Sequence, residues 1–449
     1  GQIPLGEFDV LGFSLQYELT YTNVLAVLDL AGIPLRADER GEGHPLILGG
    51  GPCATHPEPV APFFDCFIPG DGEEALPRFL DVLAAVRDQG RLERLTTLSD
   101  EPGVYVPSIH SGPSASIDKQ TVAELDAYLP FHEFPVPATE TVFDRLSVEL
   151  ARGCQQGCRF CEAGFTYRRP RERGLPAVVS WIEESLDLTG FDELSLASLS
   201  TADYSHLVPL SGEVNRITEE RRISLSISSL RAYGVEDEVL DVLASARPSS
   251  LTLAPEAGSQ RLRNLINKNV TDEQLLASIG DIAARGFNRV KLYFMIGLPT
   301  ETDEDVDAIA RLSGRCFDIL RERYRGKAGL TASVSLFVPR PHTPFQWEGM
   351  ESREELARRI SRLRSKFPRG GKNLQLKWHN HDMSLLEATL TRGDRTLAPA
   401  IEHAFKEGAR FDSWDEFFTL AVWEGGFRTA GVDQFRFLRP FPHDEPLPW

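Results

Sequence analysis

The sequence RGCQQGCRFCEAGF at residues 152–165 places Cys154, Cys158 and Cys161 in a C-x3-C-x2-C spacing. It directly follows the apolar segment RLSVELA (145–151), which predicts a β-strand. Six cysteines in 449 residues are too few for a disulfide scaffold, whereas three close together at a strand end are typical of metal chemistry in a reducing compartment. The glycines of this stretch let the backbone turn around one small volume.

An iron–sulfur cluster is the metal group that this spacing favours. A cubane cluster needs thiolates that converge, and three thiolates leave one iron open to an exogenous ligand, as in a catalytic site. One alternative is a structural zinc site or a zinc-binding RNA-interacting protein, although no second Cys or His pair stands at a suitable spacing. Another is a non-catalytic iron–sulfur electron-transfer or regulatory protein, which would normally have four thiolates.

Strands and helices alternate on the carboxyl side of this loop, which predicts a parallel sheet. The crossovers between the strands are too long for hairpins and give a right-handed arrangement. Six strand–helix units fall short of the eight of a closed barrel, so we predict an α/β fold with a partial (β/α)6 barrel. The predicted strands are 145–151, 192–198, 222–228, 250–255, 289–297 and 332–338, and the predicted helices are 176–188, 204–220, 236–246, 272–285 and 303–323.

The rest of the chain divides by composition. Residues 1–99 alternate strand and helix in only about three units, which predicts an incomplete Rossmann-like domain whose first half lies outside the sequence. Residues 100–143 are rich in turn-forming residues and predict a linker, and 144–347 hold the barrel. Residues 348–449 predict a mainly helical C-terminal extension, with helices at 352–367, 397–407 and 413–424.

Over about residues 145–345 the sequence resembles the radical SAM superfamily, whose signature is the same cysteine spacing after the first strand of a partial barrel. The resemblance implies that Cys154, Cys158 and Cys161 hold a [4Fe–4S] cluster, with S-adenosylmethionine on the fourth iron. It also implies reductive cleavage to methionine and a 5′-deoxyadenosyl radical, with an electron from a reductant such as flavodoxin or ferredoxin.

The same resemblance implies cofactor-binding residues at later strand ends. Phe160 matches the aromatic position near the adenine, and Gly297 lies in FMIGLPTET (294–302), which resembles the segment that cups adenine. Glu256 and Ser259 match polar positions that face the ribose and carboxylate, although Ser259 is equally explained as a helix cap. After the second strand, Ser198 and Ser200 stand where the superfamily carries a Gly-Gly-Glu-like motif for the methionine amino group.

The first segment also has a resemblance. FDVLGFSLQYELTYTNVL, LILGGGP and DCFIPGDGEEAL look like the later half of a cobalamin-binding Rossmann-like domain, and the whole chain resembles an internal fragment of an uncharacterised bacterial family of B12-binding-domain radical SAM proteins. The Asp-x-His-x-x-Gly motif for an axial ligand is absent. A ligand of such a sheet would bind at the loops after Leu15, Leu48 and Pro69, and we expect weak or no cobalamin binding.

The segment YRRPRERG (167–174) follows the cysteines, and its Arg168, Arg169 and Arg171 predict an anion-binding lip for the substrate, with a solvated loop as the alternative. A net charge of −18 disfavours nonspecific nucleic-acid binding, and the absence of any run of 18 apolar residues excludes a transmembrane helix. The sequence thus predicts a cytoplasmic radical SAM enzyme with an unidentified, anionic substrate, and family analogy suggests methylation or methylthiolation. Methylthiotransferases carry a further cysteine trio in their N-terminal domain, where this chain has only Cys53 and Cys66.

Overall fold

The computed structural model describes residues 3–110, 116–129, 135–139, 141–227, 237–245 and 251–449. Its strands, in chain order, are β1 (Val10–Ser14), β2 (Leu46–Gly50), β3 (Cys66–Phe67), β4 (Leu146–Glu149), β5 (Ala151–Arg152), β6 (Arg171–Glu172), β7 (Glu193–Ala197), β8 (Ser224–Ile227), β9 (Leu251–Glu256), β10 (Arg289–Ile296), β11 (Gly329–Leu336) and β12 (Leu374–Trp378).

The helices are α1 (Tyr21–Leu30), α2 (Gly72–Ala85), α3 (Arg91–Ser99), α4 (Ala163–Thr166), α5 (Leu175–Thr189), α6 (Leu207–Arg221), α7 (Asp237–Ser245), α8 (Gln260–Leu265), α9 (Asp272–Ala284), α10 (Asp303–Tyr324), α11 (Arg353–Lys366), α12 (His381–Arg392), α13 (Ala398–Lys406), α14 (Leu420–Ala430) and α15 (Phe435–Leu438). Within the described ranges, none of these helices has both the length and the apolar character that a bilayer crossing requires.

The chain forms two compact units, each built from separate stretches of sequence. Unit 1 comprises Gly1–Val122, Val338–Arg353 and Asn380–Trp449, and unit 2 comprises Ala123–Phe337 and Glu354–His379. The C-terminal helices α12 to α15 therefore belong to the same unit as the first strands of the chain. The predicted division, with 348–449 as a separate extension, differs from this arrangement.

Unit 1 contains a parallel sheet in the order β1-β2-β3, with Leu11 opposite Ile47 and Leu48 opposite Cys66. Its larger hydrophobic core combines residues that are far apart in sequence, because side chains of α1 pack with those of α12, α13 and α14; among them are Leu25, Leu28, Leu390, Ile401 and Trp423. Burial of these side chains, each worth roughly 1.5–3 kcal/mol, holds the C-terminal helices on the N-terminal sheet.

Unit 2 contains two parallel sheets and one short antiparallel pair of strands in the described ranges. The sheets have the orders β4-β7-β8 and β12-β11-β10-β9, and β5 pairs antiparallel with β6. In β10 and β11 polar and apolar residues mostly alternate, and the apolar side chains, such as Leu292, Phe294 and Val334, are buried. The predicted α/β fold with parallel sheets is confirmed.

Three features of the structure differ from the predictions, and three further predicted elements reach residues outside the described ranges. Residues 374–378 form β12, a parallel partner of β11 that the sequence did not predict. The helix predicted at 413–424 is wrong in its bounds, since α14 begins at Leu420. Part of the predicted linker is buried in unit 1, where Tyr105 pairs with Phe67. Finally, the strands predicted at 222–228 and 250–255 and the helix at 236–246 extend outside the described residues.

Candidate functional site

The cysteine loop, residues 153–165, leaves the sheet just after β4 and β5. The Leu150 N–H donates to the carbonyl of Ala197 at 2.9 Å, so the chain entering the loop is fixed to the end of β7. Gly153 has φ +90°, and a Cβ at this position would lie 2.6 Å from the Tyr167 carbonyl oxygen. The close passage of the 167–170 segment therefore requires glycine at position 153.

The three thiols of this loop are half-buried and none forms a disulfide. Burial raises the pKa of Cys158 to about 11 and also raises that of Cys161, where a hydrogen bond from the backbone of Gly164 acts in the opposite direction. Cys154 contributes electrostatically to the raised pKa of both Cys158 and Cys161. In the parts of the chain that are described, no three His, Cys, Asp or Glu side chains already form a metal-ligating group. Metal binding here would therefore have to draw the thiols together and release their protons.

An ion pair lies beside the cysteines, at the end of β9. The Lys268 Nζ is 3.3 Å from the Glu256 Oε1, and both side chains are largely buried. Burial raises the pKa of Glu256, and the Lys268 ammonium only partly opposes this effect. Burial alone would lower the pKa of Lys268, but Glu256 and Cys158 raise it above the ordinary value. Glu256 also has φ +68°, a left-handed backbone that is uncommon for a non-glycine residue at a strand end.

The Gln156 side chain joins the loop after β7 to the cysteine loop. The Gln156 Nε2 donates to the Asp203 Oδ2 at 2.8 Å. In the same loop, the hydroxyls of Ser198 and Thr201 lie 3.0 Å apart, and the Ser200 carbonyl accepts from the Asp203 N–H at 3.0 Å. Ser198 and Ser200 therefore lie in a turn that contacts the cysteine loop through Asp203.

The structure gives Ser259 a clear local contact. Its hydroxyl oxygen accepts from the Leu262 N–H at 3.2 Å at the start of α8, and the hydroxyl donates to Asp305. The predicted alternative, a helix cap, thus describes its contacts here. Asp305 also accepts from Thr302 at the start of α10, so that Ser259 ties the loop after β9 to the loop after β10.

Gly297 follows β10 with φ +89°, and its N–H donates to the Glu301 Oε2 at 2.8 Å. The same carboxylate accepts from the Arg359 Nη1 at 2.7 Å, and both side chains of this pair are buried. A charged residue of α11 therefore fixes the backbone conformation at the carboxyl end of β10.

Phe160 lies within the cysteine loop, and Arg168, Arg169 and Arg171 follow the loop in the chain. Phe160 is half-buried, whereas Arg168 and Arg169 are exposed. The Arg168 guanidinium carbon lies 4.5 Å from the centre of the Phe165 ring, and the Arg171 Nε donates to the Arg169 carbonyl at 3.1 Å. Their substrate role stays a prediction.

Four residues of this region were not predicted from the sequence: Asn267, Lys268, Glu301 and Arg359. Their partners are distant in the chain or belong to another element, and no local sequence pattern indicates that a charged residue is buried. Glu301 is the exception, because a carboxylate four residues after a strand-end glycine is a detectable spacing.

Residues 1–107 match the family model described as the N-terminal region of radical SAM proteins, and residues 148–313 match the model of the radical SAM superfamily. The chain is a radical SAM protein. The radical SAM domain identifies it as an enzyme, and the alternative of a non-catalytic iron–sulfur protein receives no support from these matches. The family implies a [4Fe–4S] cluster and S-adenosylmethionine, and the set of three unpaired thiols on one loop fits such a cluster.

Two relatives differ in how much of this chain their sequences match. The radical SAM protein is 28% identical over 431 residues to an uncharacterized protein of Methanocaldococcus jannaschii, covering 95% of this chain and 87% of the relative. It is 24% identical over 200 residues to the tRNA-2-methylthio-N(6)-dimethylallyladenosine synthase of Thermotoga petrophila, covering 42% of this chain and 44% of that enzyme.

Two solved structures share the fold. The cobalamin-dependent S-adenosylmethionine radical enzyme OxsB matches with a TM-score of 0.52 and 13% identity over 96% of this chain. The radical S-adenosylmethionine methyltransferase TsrM of Kitasatospora setae matches with a TM-score of 0.51 and 16% identity over 76% of this chain. The radical SAM protein spans 64% of the length of each solved chain.

The OxsB structure contains cobalamin, and in unit 1 the expected ligand edge of the sheet is formed by the carboxyl ends of β1, β2 and β3. The loop after β2 packs on the loop after β1, since the Cys53 N–H donates to the Leu15 carbonyl at 3.0 Å. The loop after β3 is paired with residue 120: the Asp71 N–H donates to the Gln120 carbonyl at 2.9 Å, and a Cβ on Gly70 would lie 2.2 Å from the same oxygen.

Side chains of α12 and the residue after it complete this closure within unit 1. The Tyr17 hydroxyl donates to the Glu387 Oε2 at 2.6 Å, and His56, which is 5% exposed, has its Nε2 2.8 Å from the Gly393 carbonyl oxygen. The described residues at these strand ends are thus engaged with the chain itself. They do not fit a bound cobalamin at this edge.

Proposed function

We propose that this protein uses a [4Fe–4S] cluster on Cys154, Cys158 and Cys161 to cleave S-adenosylmethionine reductively and modify an anionic substrate. The observation that carries the proposal is the group of three half-buried, unpaired thiols on one loop at the carboxyl end of β4. When bound, the cluster supplies the electron that converts the sulfonium into methionine and a 5′-deoxyadenosyl radical.

The protein's own residues would position this chemistry. Gly153 lets the cysteine loop turn, and Gln156 joins it to the loop with Ser198 and Ser200. Glu256 and Lys268 supply a buried carboxylate and ammonium for the polar groups of S-adenosylmethionine. Gly297, fixed by Glu301, offers backbone with no side chain at the end of β10. Phe160 adds an aromatic surface within the loop.

The arginines and the relatives indicate the class of substrate and the type of modification. Arg168, Arg169 and Arg171 support a substrate with a phosphate or carboxylate group, because a guanidinium binds such groups in a bidentate manner. The similarity to a methylthio-forming synthase and to the fold of a methyltransferase supports methylation or methylthiolation. Cys53 and Cys66 are both buried, which does not favour a second cluster in unit 1. Three reduced thiols also favour the cytoplasm and a reductant such as flavodoxin or ferredoxin.

Anaerobic reconstitution tests the cluster. We expect about four iron and four sulfide per chain, as one cubane requires. The triple variant Cys154→Ala, Cys158→Ala, Cys161→Ala should lose them. Cys316→Ala is the matched control, because Cys316 is a buried thiol of α10 outside the site. Iron retained by the triple variant, or a preference of the wild type for zinc, would contradict the proposal.

Incubation of the loaded enzyme with dithionite and S-adenosylmethionine tests the reaction. Chromatography should show 5′-deoxyadenosine and methionine above a control without enzyme. An intact cluster that gives neither product would support an electron carrier instead.

The arginine proposal has its own test. Arg168→Gln, Arg169→Gln, Arg171→Gln should leave iron content and uncoupled cleavage unchanged and lower turnover of the substrate. The unmodified protein should not retain random duplex DNA at physiological salt, because a net charge of −18 repels polyanions and local attraction is screened within about 8 Å. Tight retention of that DNA would mean that the arginines bind nucleic acid generally.

A further inference from the structure

The cysteine loop is held from outside by the turn that follows α8. The Asn267 Nδ2 donates to two carbonyls of the loop, that of Gly157 at 2.9 Å and that of Gln156 at 3.2 Å. In the other direction, the Arg159 N–H donates to the Ile266 carbonyl at 3.0 Å. The Arg159 guanidinium donates to the Leu265 carbonyl. The loop and the turn are therefore joined by backbone groups on both sides.

The turn itself is rigidly supported. Arg263 is completely buried and donates to the Ala257 and Gly258 carbonyls, at 3.0 and 3.1 Å, before α8. The same side chain donates to the Val270 carbonyl, at 3.0 Å, after the turn. One guanidinium thus fixes both ends of the segment that presents Asn267.

The backbone is left-handed at both Asn267 and Gly157, the two residues that meet at this contact. Asn267 has φ +56°, a left-handed conformation that asparagine adopts more readily than most residues. Gly157 has φ +64°, and a Cβ there would lie 3.3 Å from the Asn267 Nδ2. The two carbonyls that Asn267 binds lie between Cys154 and Cys158, on the longer of the two segments that separate the cysteines.

We propose that Asn267 is a positioning residue that holds the cysteine loop in the shape from which Cys154, Cys158 and Cys161 bind the cluster. This inference rests on the proposed function. It follows from the contacts, because one amide fixes two adjacent carbonyls in the segment between Cys154 and Cys158, which forms neither helix nor strand. Without the amide, the segment between Cys154 and Cys158 would lose its side-chain contact with the turn after α8, and the three thiols would converge at a greater entropic cost.

Two substitutions distinguish the effect of the Asn267 side-chain amide from the effect of the left-handed backbone at this position. Asn267→Gly keeps the left-handed conformation and removes the donor, whereas Asn267→Asp keeps the side-chain size and turns a carboxylate toward two carbonyl oxygens. Asn264→Ala is the matched control, since Asn264 is exposed and its side chain accepts a hydrogen bond only within α8, from Gln260 at 2.8 Å. The measurements are iron per chain after anaerobic reconstitution, the rate of iron loss to a ferrous chelator, and the electron paramagnetic resonance signal of the reduced cluster.

We expect Asn267→Gly to lose iron about tenfold faster than the wild type, as the loss of two hydrogen bonds implies. We expect Asn267→Asp to lose it faster still, and Asn264→Ala to match the wild type. The metal-free variants should unfold only a few degrees below Asn264→Ala, because two hydrogen bonds are a small part of the stability of the unit. Wild-type rates of iron loss in both Asn267 variants, or a large drop in their metal-free unfolding temperature, would overturn the inference. A wild type that takes up no iron would instead refute the proposed function, so the two failures are distinct.

Discussion

Position 153 depends on the absence of a side chain. A Cβ on Gly153 would lie 2.6 Å from the Tyr167 carbonyl oxygen and 3.0 Å from the Pro170 Cα, and these are backbone atoms that have little room to move. We therefore expect Gly153→Ala to lower the free energy of unfolding of unit 2 by roughly 2–4 kcal/mol, from left-handed strain together with steric overlap. Urea titration of the metal-free protein measures this change.

Gly190 provides the matched control. It ends α5 with φ +70°, so it shares the left-handed backbone, but a Cβ there would meet nothing within 4 Å. Gly190→Ala should cost only the conformational strain, about 1 kcal/mol. Equal losses in the two variants would mean that the contact with Tyr167 does not constrain the cysteine loop.

His56 makes the stability of unit 1 depend on pH. Burial lowers its pKa to about 4, and its Nδ1 has no hydrogen-bond partner. His342 acts in the same direction, whereas the hydrogen bond to Gly393 and the carboxylates of Glu58 and Glu18 oppose it. The unfolded chain binds a proton near pH 6.5 and the folded chain only near 4, so stability is complete above pH 6.5 and declines as the pH falls between these values.

Protonation of His56 lowers the free energy of unfolding by about 3 kcal/mol over this pH range. We expect the unfolding temperature of the wild type to fall from pH 7 to pH 4.5 more steeply than that of His56→Gln, because glutamine does not titrate. Calorimetry across this range gives the comparison. Parallel curves for the two proteins would show that His56 is not buried in its neutral form.

At the scale of elements, Glu301 and Arg359 form a buried ion pair. It connects α11 to the backbone of Gly297 at the end of β10. Arg359→Met would leave the Glu301 carboxylate buried without its cation, which typically costs 3–5 kcal/mol. We expect a matching drop in the unfolding free energy and partial recovery in the double variant Arg359→Met, Glu301→Gln.

Arg358, the neighbour of Arg359 in α11, provides the matched control. Arg358 forms ion pairs with Asp303 and Glu355 on the surface, where solvent screens them. Arg358→Met should therefore change stability little. If both methionine variants behave alike, burial does not amplify the Glu301 pair and the end of β10 is held by other contacts.

The sequence predicted the elements whose pattern is local. Strands β1, β2, β4, β7, β10 and β11 and helices α1, α5, α9 and α10 lie where apolar periodicity and turn residues indicated them. Strand β12 was missed because Gln375, Lys377 and Trp378 are mostly exposed, and only pairing with β11 makes the segment extended. Helix α14 begins later than expected, because the segment with Trp414 forms turns that bond locally from Phe411 to Phe418.

The candidate site was predictable to a similar degree. The cysteines were identified by spacing, since their chemistry requires short distances along the chain. Asn267 and Lys268 were not, because their role depends on α8 folding back on the cysteine loop, and no local pattern encodes that approach. Sequence patterns also gave no sign that the C-terminal helices pack into the core of the N-terminal sheet, which is a property of the whole unit.

At the scale of the molecule, the shared core of unit 1 leads to a prediction about cobalamin. The carboxyl ends of parallel strands are the usual ligand edge of such a sheet. Here that edge is engaged by the chain itself, through Gln120 at the end of β3, Glu387 on Tyr17, and the Gly393 carbonyl on His56. A cofactor at this edge would have to displace α12, and with it Leu386 and Leu390, which are buried in the core. Exposing two leucines costs roughly 3–6 kcal/mol, which the free energy of cofactor binding would have to exceed.

We therefore expect equilibrium dialysis with hydroxocobalamin to show no retention by the folded protein. The variant Tyr17→Phe, Glu387→Gln, which weakens the contact with α12, should gain at most weak binding. Stoichiometric retention by the wild type would show that α12 leaves this edge in solution.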